Sequence, residues 1–245
     1  MNILITGVNG FIGTALWNYF KAHKFPLKVF GIDIRLRSST PHLSACDLSN
    51  PRQLRKILDR VKPNVIFHLA GGRPADENIL WQVNFILTKR LLDVIGEFKG
   101  ISPCIVIPGS AAEYGRVTSP QKPAPESLQP EPLGWYGFVK YMQTSLGLMY
   151  AHKGLNVRNA RIFNICGYGT LSSLALGNFA EKSVRIERGK ELPVLKVGQL
   201  SGRRILLILR MFVPRFGPLP AKANKGKCIM CVLGNLRACA FCSVI

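Results

Sequence analysis

Apolar runs alternate with segments of helical periodicity along the first two thirds of the chain. Short, strand-like runs are followed by stretches in which apolar residues recur every three or four positions. This alternation, without a hairpin signal, is typical of a parallel sheet covered by helices on both faces. It therefore predicts a doubly wound α/β fold. The predicted strands cover residues 2–5, 27–32, 64–70, 104–107 and 156–162, and the predicted helices cover 11–23, 51–61, 75–98 and 134–152.

A glycine-rich turn joins the first predicted strand to the first predicted helix. Such a turn gathers backbone N–H groups at the positive end of a helix dipole, which is what a pyrophosphate requires. Gly7 would make the tight turn, Gly10 would admit the phosphates and Gly13 would let the helix lie close to the strand. The GxxGxxG spacing predicts a dinucleotide site, although glycines serving only a tight joint would give the same pattern. The loop residues assigned to cofactor binding are Gly7, Asn9, Gly10, Phe11, Ile12 and Gly13.

An acidic residue, Asp33, ends the second predicted strand. In a βαβ unit, an acid about 20 residues past the glycines can bind the hydroxyls of an adenosine ribose, which favours NAD. Arg35 and Arg37 follow closely and could hold a 2′-phosphate, so the predicted cofactor is NAD or NADP. Taken alone, Asp33 could equally cap the following turn.

Composition narrows the class of protein. The 245-residue chain has 47% hydrophobic residues and is long enough to bury a substantial core. No apolar run is long enough to span a bilayer, and the N-terminus carries no export signal, so we expect a cytoplasmic protein without a membrane partner. A net charge of +20 would suit a protein that binds nucleic acid. However, every charge after Glu191 is positive, and the other cations are scattered along the chain. We therefore predict no nucleic-acid partner.

Three polar residues are candidates for chemistry. Ser110 ends an apolar strand, at the sheet edge where ligands bind in open α/β folds. Tyr136 and Lys140 are four residues apart in a predicted helix and therefore share a face. His68 also ends an apolar strand, but with no metal-site partner nearby a structural histidine is the better interpretation.

Together these residues resemble the NAD-dependent epimerase/dehydratase family of the extended short-chain dehydrogenases/reductases, over residues 1 to about 204. The resemblance implies a Rossmann-like fold, a nucleotide-sugar substrate and a possible homodimer. It makes Tyr136 the acid/base, its phenolate favoured by Lys140 and a nicotinamide cation, while Ser110 bonds the same sugar oxygen and Lys140 holds the nicotinamide ribose. The remaining roles that it implies are adenine contacts for Asp47 and Leu48, ribose contacts for Leu69, Ala70 and Gly71, and substrate contacts for Asn164 and Arg203.

Two alanines limit which reactions of the family the resemblance implies. Dehydratases of this family carry acids just after the catalytic Ser or Thr, and here Ala111 and Ala112 stand there. The sequence around Ser110 looks most like that of GDP-6-deoxy-4-keto-mannose reductases and their GDP-mannose dehydratase relatives. The resemblance therefore implies hydride transfer at C4 of a GDP-(4-keto-6-deoxy)hexose. The alternatives are a nucleotide-sugar 4-epimerase and a truncated, non-catalytic dinucleotide-binding protein.

The resemblance ends near Arg204. If the coding sequence is read in the frame that begins one base earlier, codon choices exist for which both 204–212 and 225–233 give the family's pattern. We therefore hypothesise a one-base deletion at the codons of Arg203 or Arg204, which an intact reading frame would refute. The alternative is a zinc site made by two CxxC pairs, Cys228 with Cys231 and Cys239 with Cys242. The expected parts are a dinucleotide-binding domain at 1–165, the start of an incomplete substrate lobe at 166–204 and an out-of-frame tail at 205–245.

Overall fold

The structure, a computed structural model, describes residues 1–23, 26–116, 125–197, 206–216 and 228–231. Contacts divide these residues into two units. The first comprises Met1–Ile162 and the described part of Val213–Cys231, and the described part of the second lies within Phe163–Phe212. The division into parts at 165 and 204 stays a prediction.

The first unit is built on a seven-stranded parallel sheet with the strand order β3-β2-β1-β4-β5-β6-β9. Its strands are β1 (Asn2–Thr6), β2 (Lys28–Asp33), β3 (Leu43–Ala45), β4 (Val65–His68), β5 (Cys104–Ser110), β6 (Val157–Ile162) and β9 (Cys228–Cys231). Strand order reverses between β1 and β4, so the crevice at their carboxyl ends is the place where such sheets bind ligands. In register, Thr6 of β1 lies between Ile32 of β2 and His68 of β4.

Helices cover both faces of this sheet. They are α1 (Phe11–Ala22), α2 (Pro51–Val61), α3 (Glu77–Trp81), α4 (Leu87–Glu97) and α5 (Trp135–His152). A further helix, α7 (Leu209–Phe216), contains the boundary between the two units, which falls after Phe212. Ile66 packs with apolar residues of α2, α4 and α5 in the main core. The next residue on β4, Phe67, faces the other way, with its ring centroid 6.0 Å from that of Phe20 on α1. The predicted doubly wound α/β fold is confirmed.

Helix α2 shows why the sequence pattern predicts these boundaries well. The Asn50 side chain accepts hydrogen bonds from the backbone N–H groups of Arg52 and Gln53, at 3.1 and 3.2 Å, and Pro51 opens the helix. The helix ends at Lys62, whose backbone is left-handed with φ of 44°.

The predicted helix at 75–98 is interrupted. Between α3 and α4 lies a π-helical turn, Gln82–Ile86, which contains the buried Asn84. The Asn84 amide donates to the carbonyl oxygens of Gly72 and Leu80, both at 2.9 Å. The turn thus fastens the helix to the loop that follows β4, and periodicity alone could not predict this side-chain contact.

The second unit contains β7 (Asn164–Cys166), α6 (Ala175–Glu187) and β8 (Leu206–Ile208), and β7 pairs with β8 in parallel. None of the helices in the described part of the chain combines the length and the hydropathy that a bilayer crossing requires. Cys239 and Cys242 lie outside the described residues. The deletion hypothesis and its zinc alternative therefore stay predictions.

Candidate functional site

Two glycines of the glycine loop leave no room for a side chain. Gly7 has φ of +68°, and a Cβ on it would lie 2.6 Å from the backbone nitrogen of Ala70. A Cβ on Gly13 would lie 2.2 Å from the carbonyl oxygen of Gly7. Gly10 is the N-cap of α1 and has no side chain to cover the first turn of the helix. The loop therefore packs against the end of β4 and presents backbone N–H groups at the first turn of α1, an arrangement that fits a pyrophosphate.

Asp33 is buried at the end of β2, with 6% of its surface exposed. It accepts hydrogen bonds from the backbone of Asn9 at 3.1 Å and of Arg35 at 2.9 Å. The Arg35 Nε also lies 3.3 Å from the carboxylate. Asp33 thus braces both the glycine loop and the turn after β2, so the capping role weighed in the sequence is present. Its carboxylate also lines the cleft described next.

A cleft of about 440 Å³ opens at the carboxyl ends of β1 and β4. The apolar side chains of Leu48 and Leu69 contribute to its walls, and Asp33 and Arg35 supply charge. This lining suits a nucleotide, and the cradle of Gly7 and Gly10 suits its phosphates, so the residues present fit a dinucleotide. Eight of the predicted cofactor residues line the cleft: Gly7, Gly10, Asp33, Asp47, Leu48, Leu69, Ala70 and Gly71.

The other predicted cofactor residues lie outside the cleft lining. Asn9 is in the loop, where its backbone binds Asp33. Phe11, Ile12 and Gly13 form the first turn of α1. Tyr136 and Lys140 are on α5, and among the cleft-lining residues it is Arg73 that reaches Tyr136.

Ser110 is held at the end of β5 by a buried charge pair. The Glu113 carboxylate accepts the backbone N–H of Ser110 at 2.7 Å, and the Ser110 hydroxyl accepts the backbone N–H of Ala112 at 3.1 Å. Glu113 is fully buried and pairs with Arg161 of β6 at 2.7 Å. Burial raises the pKa of Glu113, while Arg161 and the Ser110 N–H oppose that shift. The Glu113–Arg161 pair therefore holds the backbone at Ser110 in place and so orients the Ser110 side chain.

Tyr136 is half-buried in the first turn of α5. Burial raises the pKa of Tyr136, while Ser110 and the nearby positive charge of Arg73 act to lower it and the charge of Glu113 adds to the rise. The Arg73 guanidinium carbon lies 4.9 Å from the centroid of the Tyr136 ring. The structure thus places Tyr136 close to Ser110.

Lys140 lies one helical turn from Tyr136 but is directed elsewhere. Its Nζ donates to the carbonyl oxygen of Pro108 at 2.6 Å and to Oε1 of Gln143. Burial lowers the pKa of Lys140 to about 8, with the charge of Glu113 opposing this. The roles that the resemblance gives to Lys140, favouring the Tyr136 phenolate and holding the nicotinamide ribose, stay predictions.

His68 is a buried structural histidine, as the sequence predicts. Its two ring nitrogens lie 2.9 Å from the hydroxyl oxygens of Thr6 and Thr88. Thr6 accepts the backbone N–H of Ala70 at 3.1 Å, and Thr88 accepts the Gln143 amide at 2.7 Å. Because Gln143 also binds Lys140, a continuous hydrogen-bond chain connects β1 with α5.

We expect His68 to make the protein less stable in acid. Burial, and secondarily Lys140, lowers its pKa from 6.5 to about 3. Between these values the unfolded chain binds a proton that the native state does not, so the free energy of unfolding should fall as the pH drops below 6.5, by about 1.4 kcal/mol per unit. Urea unfolding from neutral pH to pH of about 5 measures this slope.

The matched variants are His68→Gln and His152→Gln, the latter changing an exposed residue at the end of α5. His68→Gln should flatten the slope and His152→Gln should retain it. A slope that is the same in His68→Gln as in the natural protein would contradict the prediction. NMR of the His68 ring should show no titration between neutral pH and a pH of about 5.

The two predicted substrate residues are placed differently. Asn164 is exposed on β7, in the second unit. Arg203 lies outside the described residues. Their assignment to substrate binding stays a prediction.

Sequence reasoning missed three features of the site. The first is the Glu113–Arg161 pair, although the S-x-x-E spacing from Ser110 to Glu113 is that of a capping box and could have revealed it. The second is the chain of Thr6, Thr88 and Gln143, for which periodicity gives no signal. The third is Arg73, which has no motif around it.

The fold and the glycine cleft define a dinucleotide-binding α/β protein. A family model described as "NAD dependent epimerase/dehydratase family" matches residues 3–208. The chain belongs to this NAD-dependent family, and the resemblance to extended short-chain dehydrogenases/reductases is confirmed.

Individual relatives agree with this assignment. The chain is 30% identical over 197 residues to the GDP-6-deoxy-D-talose 4-dehydrogenase of Aggregatibacter actinomycetemcomitans. The match covers 77% of this chain and 63% of that relative, so the chain spans less than two thirds of its length.

Solved structures show the same fold. RMD from Pseudomonas aeruginosa in complex with NADPH superposes with a TM-score of 0.80 at 25% identity, covering 94% of this chain and 78% of that one. The dTDP-glucose 4,6-dehydratase of Bacillus anthracis in complex with NAD gives 0.79 at 21% identity, covering 96% and 76%. The description of the family to which the chain belongs, as NAD-dependent, agrees with the predicted dinucleotide cofactor, NAD or NADP.

Proposed function

We propose that the chain is an NAD(P)-dependent nucleotide-sugar oxidoreductase that acts at C4 of a GDP-(4-keto-6-deoxy)hexose. The observation that carries the proposal is the packing of the start of α5 against the turn that follows β5, which brings Tyr136 near Ser110. It joins a strand end at the sheet's carboxyl edge to a helix start. Two hydroxyl groups that lie near each other there can bind one sugar oxygen from two sides.

The proposed roles follow from what each side chain can do. Tyr136 exchanges a proton with the oxygen at C4, and Ser110 donates a hydrogen bond to that oxygen while it carries developing charge. Lys140, buried and bonded to Pro108, holds the start of α5 against the end of β5 and so orients Tyr136. A bound nicotinamide supplies or accepts the hydride at C4.

Reaction at C4 of a GDP sugar is supported by the relative from Aggregatibacter, whose name gives a 4-dehydrogenase acting on GDP-6-deoxy-D-talose. Dehydration is disfavoured by the surroundings of Ser110. Ala111 and Ala112 follow it, and the next carboxylate, Glu113, is buried and paired with Arg161. Glu113 therefore has no free proton-transfer capacity to offer a substrate.

We expect NAD(P)H to be oxidised when the purified chain meets GDP-4-keto-6-deoxymannose, because the 4-keto group is the hydride acceptor that the proposed roles require. The fall in NAD(P)H absorbance measures turnover, and chromatography of the sugar nucleotide identifies the product. UDP-glucose serves as the control substrate.

Other outcomes would contradict the proposal in distinguishable ways. Interconversion of C4 epimers without net oxidation would select a 4-epimerase. Dinucleotide binding with neither reaction would select a non-catalytic binding protein.

A further inference from the structure

Arg73 occupies a position that connects the cleft with Tyr136. It follows the Gly71–Gly72 turn after β4 and lines the cleft, with its guanidinium over the face of the Tyr136 ring. The distance of 4.9 Å from guanidinium carbon to ring centroid lies within the range of a cation–π contact. Asn84 in the π-helical turn fixes the preceding turn through its bond to Gly72. The guanidinium is thus held over the ring from a braced loop.

The lysine of the YxxxK pair does not take this position. The Lys140 Nζ is buried and bonded to Pro108 and Gln143. Gln143 is bonded in turn to Thr88, so the ammonium is locked into a network on the inner side of α5. Arg73 therefore approaches the phenol as a second cation, from a different element.

The groups that face Tyr136 come from three elements of the described chain. Ser110 of β5 offers a hydroxyl, Glu113 of the turn after β5 carries a negative charge, and Arg73 carries a positive one. The Glu113 charge is largely offset by Arg161 at 2.7 Å. Arg73 is therefore the cation, among these described groups, that can act on the phenol.

We propose that Arg73 stabilises the phenolate of Tyr136 and is a positioning and activating residue for the acid/base, an inference that rests on the proposed function. Loss of the phenolic proton places negative charge on the ring, which strengthens its attraction to the guanidinium. Because Arg73 is exposed, salt should weaken this effect, as it does for other surface charges. Arg73 would thereby add its charge to the effect that the resemblance assigns to Lys140.

The test measures ionisation directly, without substrate or cofactor. A 3,5-difluorotyrosine incorporated at position 136 ionises near neutral pH, and fluorine NMR reports its protonation state. Arg73→Gln should raise the pKa of this phenol by about 1 unit. Arg73→Lys, which keeps the charge, should restore much of the difference. Raising the salt concentration should shrink the gap between Arg73→Gln and the natural side chain.

Arg52→Gln is the matched control, since it removes an equal charge from an exposed position on α2. A phenol pKa that is the same in Arg73→Gln and Arg52→Gln would overturn the inference. Turnover of the GDP sugar without any phenol shift would also overturn it, leaving the proposed function intact. A phenol shift in a chain that turns over no sugar would support the role of Arg73 and contradict the proposed function.

Discussion

Replacing Tyr136 with phenylalanine should lower kcat by roughly 10²- to 10⁴-fold, the usual contribution of a positioned acid/base. The change removes one hydroxyl from a half-buried ring and leaves the stacking surface for Arg73 in place. The glycine cleft does not include Tyr136 in its lining, so dinucleotide affinity should stay close to that of the natural protein. Steady-state NAD(P)H oxidation and fluorescence titration with NAD(P)H measure the two quantities.

Tyr141→Phe is the matched control, because it removes a hydroxyl from the same helix at a neighbouring position. It should leave kcat unchanged. Equal losses in the two variants, or a Tyr136→Phe enzyme with full activity, would exclude Tyr136 as the acid/base.

Replacing Glu113 with alanine should lower the free energy of unfolding by about 3–5 kcal/mol, because it removes the carboxylate that lies 2.7 Å from the buried Arg161 guanidinium. Arg161 is 5% exposed and cannot recover that interaction from water. The same change removes the acceptor for the Ser110 backbone N–H, so kcat should fall as well. Urea unfolding measures the stability loss.

Two further variants separate charge from hydrogen bonding at this position. Glu113→Gln keeps an acceptor for Ser110 and should preserve more activity than Glu113→Ala. Glu113→Gln combined with Arg161→Met removes both charges and should recover part of the lost stability. A double variant less stable than Glu113→Ala would show that the pair does not act through its charges.

Most of the strands and helices could be predicted from the sequence because they depend on local signals. Alternating periodicities identify five of the seven strands of the sheet and the helices between them, and the glycine spacing locates the cleft. The β-α-β connections keep most strands that are neighbours in sequence close in space, although β1 and β2 lie between β3 and β4. The three-residue β3 is too short to give a periodicity signal, and the tail that contains β9 lies beyond the family pattern.

The charges around the acid/base could not be predicted in the same way. Spacing shows that Lys140 and Tyr136 share a helix face, but it does not show which acceptors compete for the ammonium. Pro108 lies on another element and is brought near Lys140 only by packing. Arg73 and Glu113 likewise reach the site from loops and turns whose paths depend on the folded chain.

The buried chain from Thr6 through His68, Thr88 and Gln143 to Lys140 has a consequence for how the molecule opens. If one hydrogen bond of this chain broke alone, it would leave a buried donor or acceptor without water, which costs free energy. The hydrogen bonds at the two ends of the chain are therefore expected to break together. The dinucleotide cradle and the helix that bears the phenol should consequently melt as one cooperative block, with shared protection of their amides against solvent exchange.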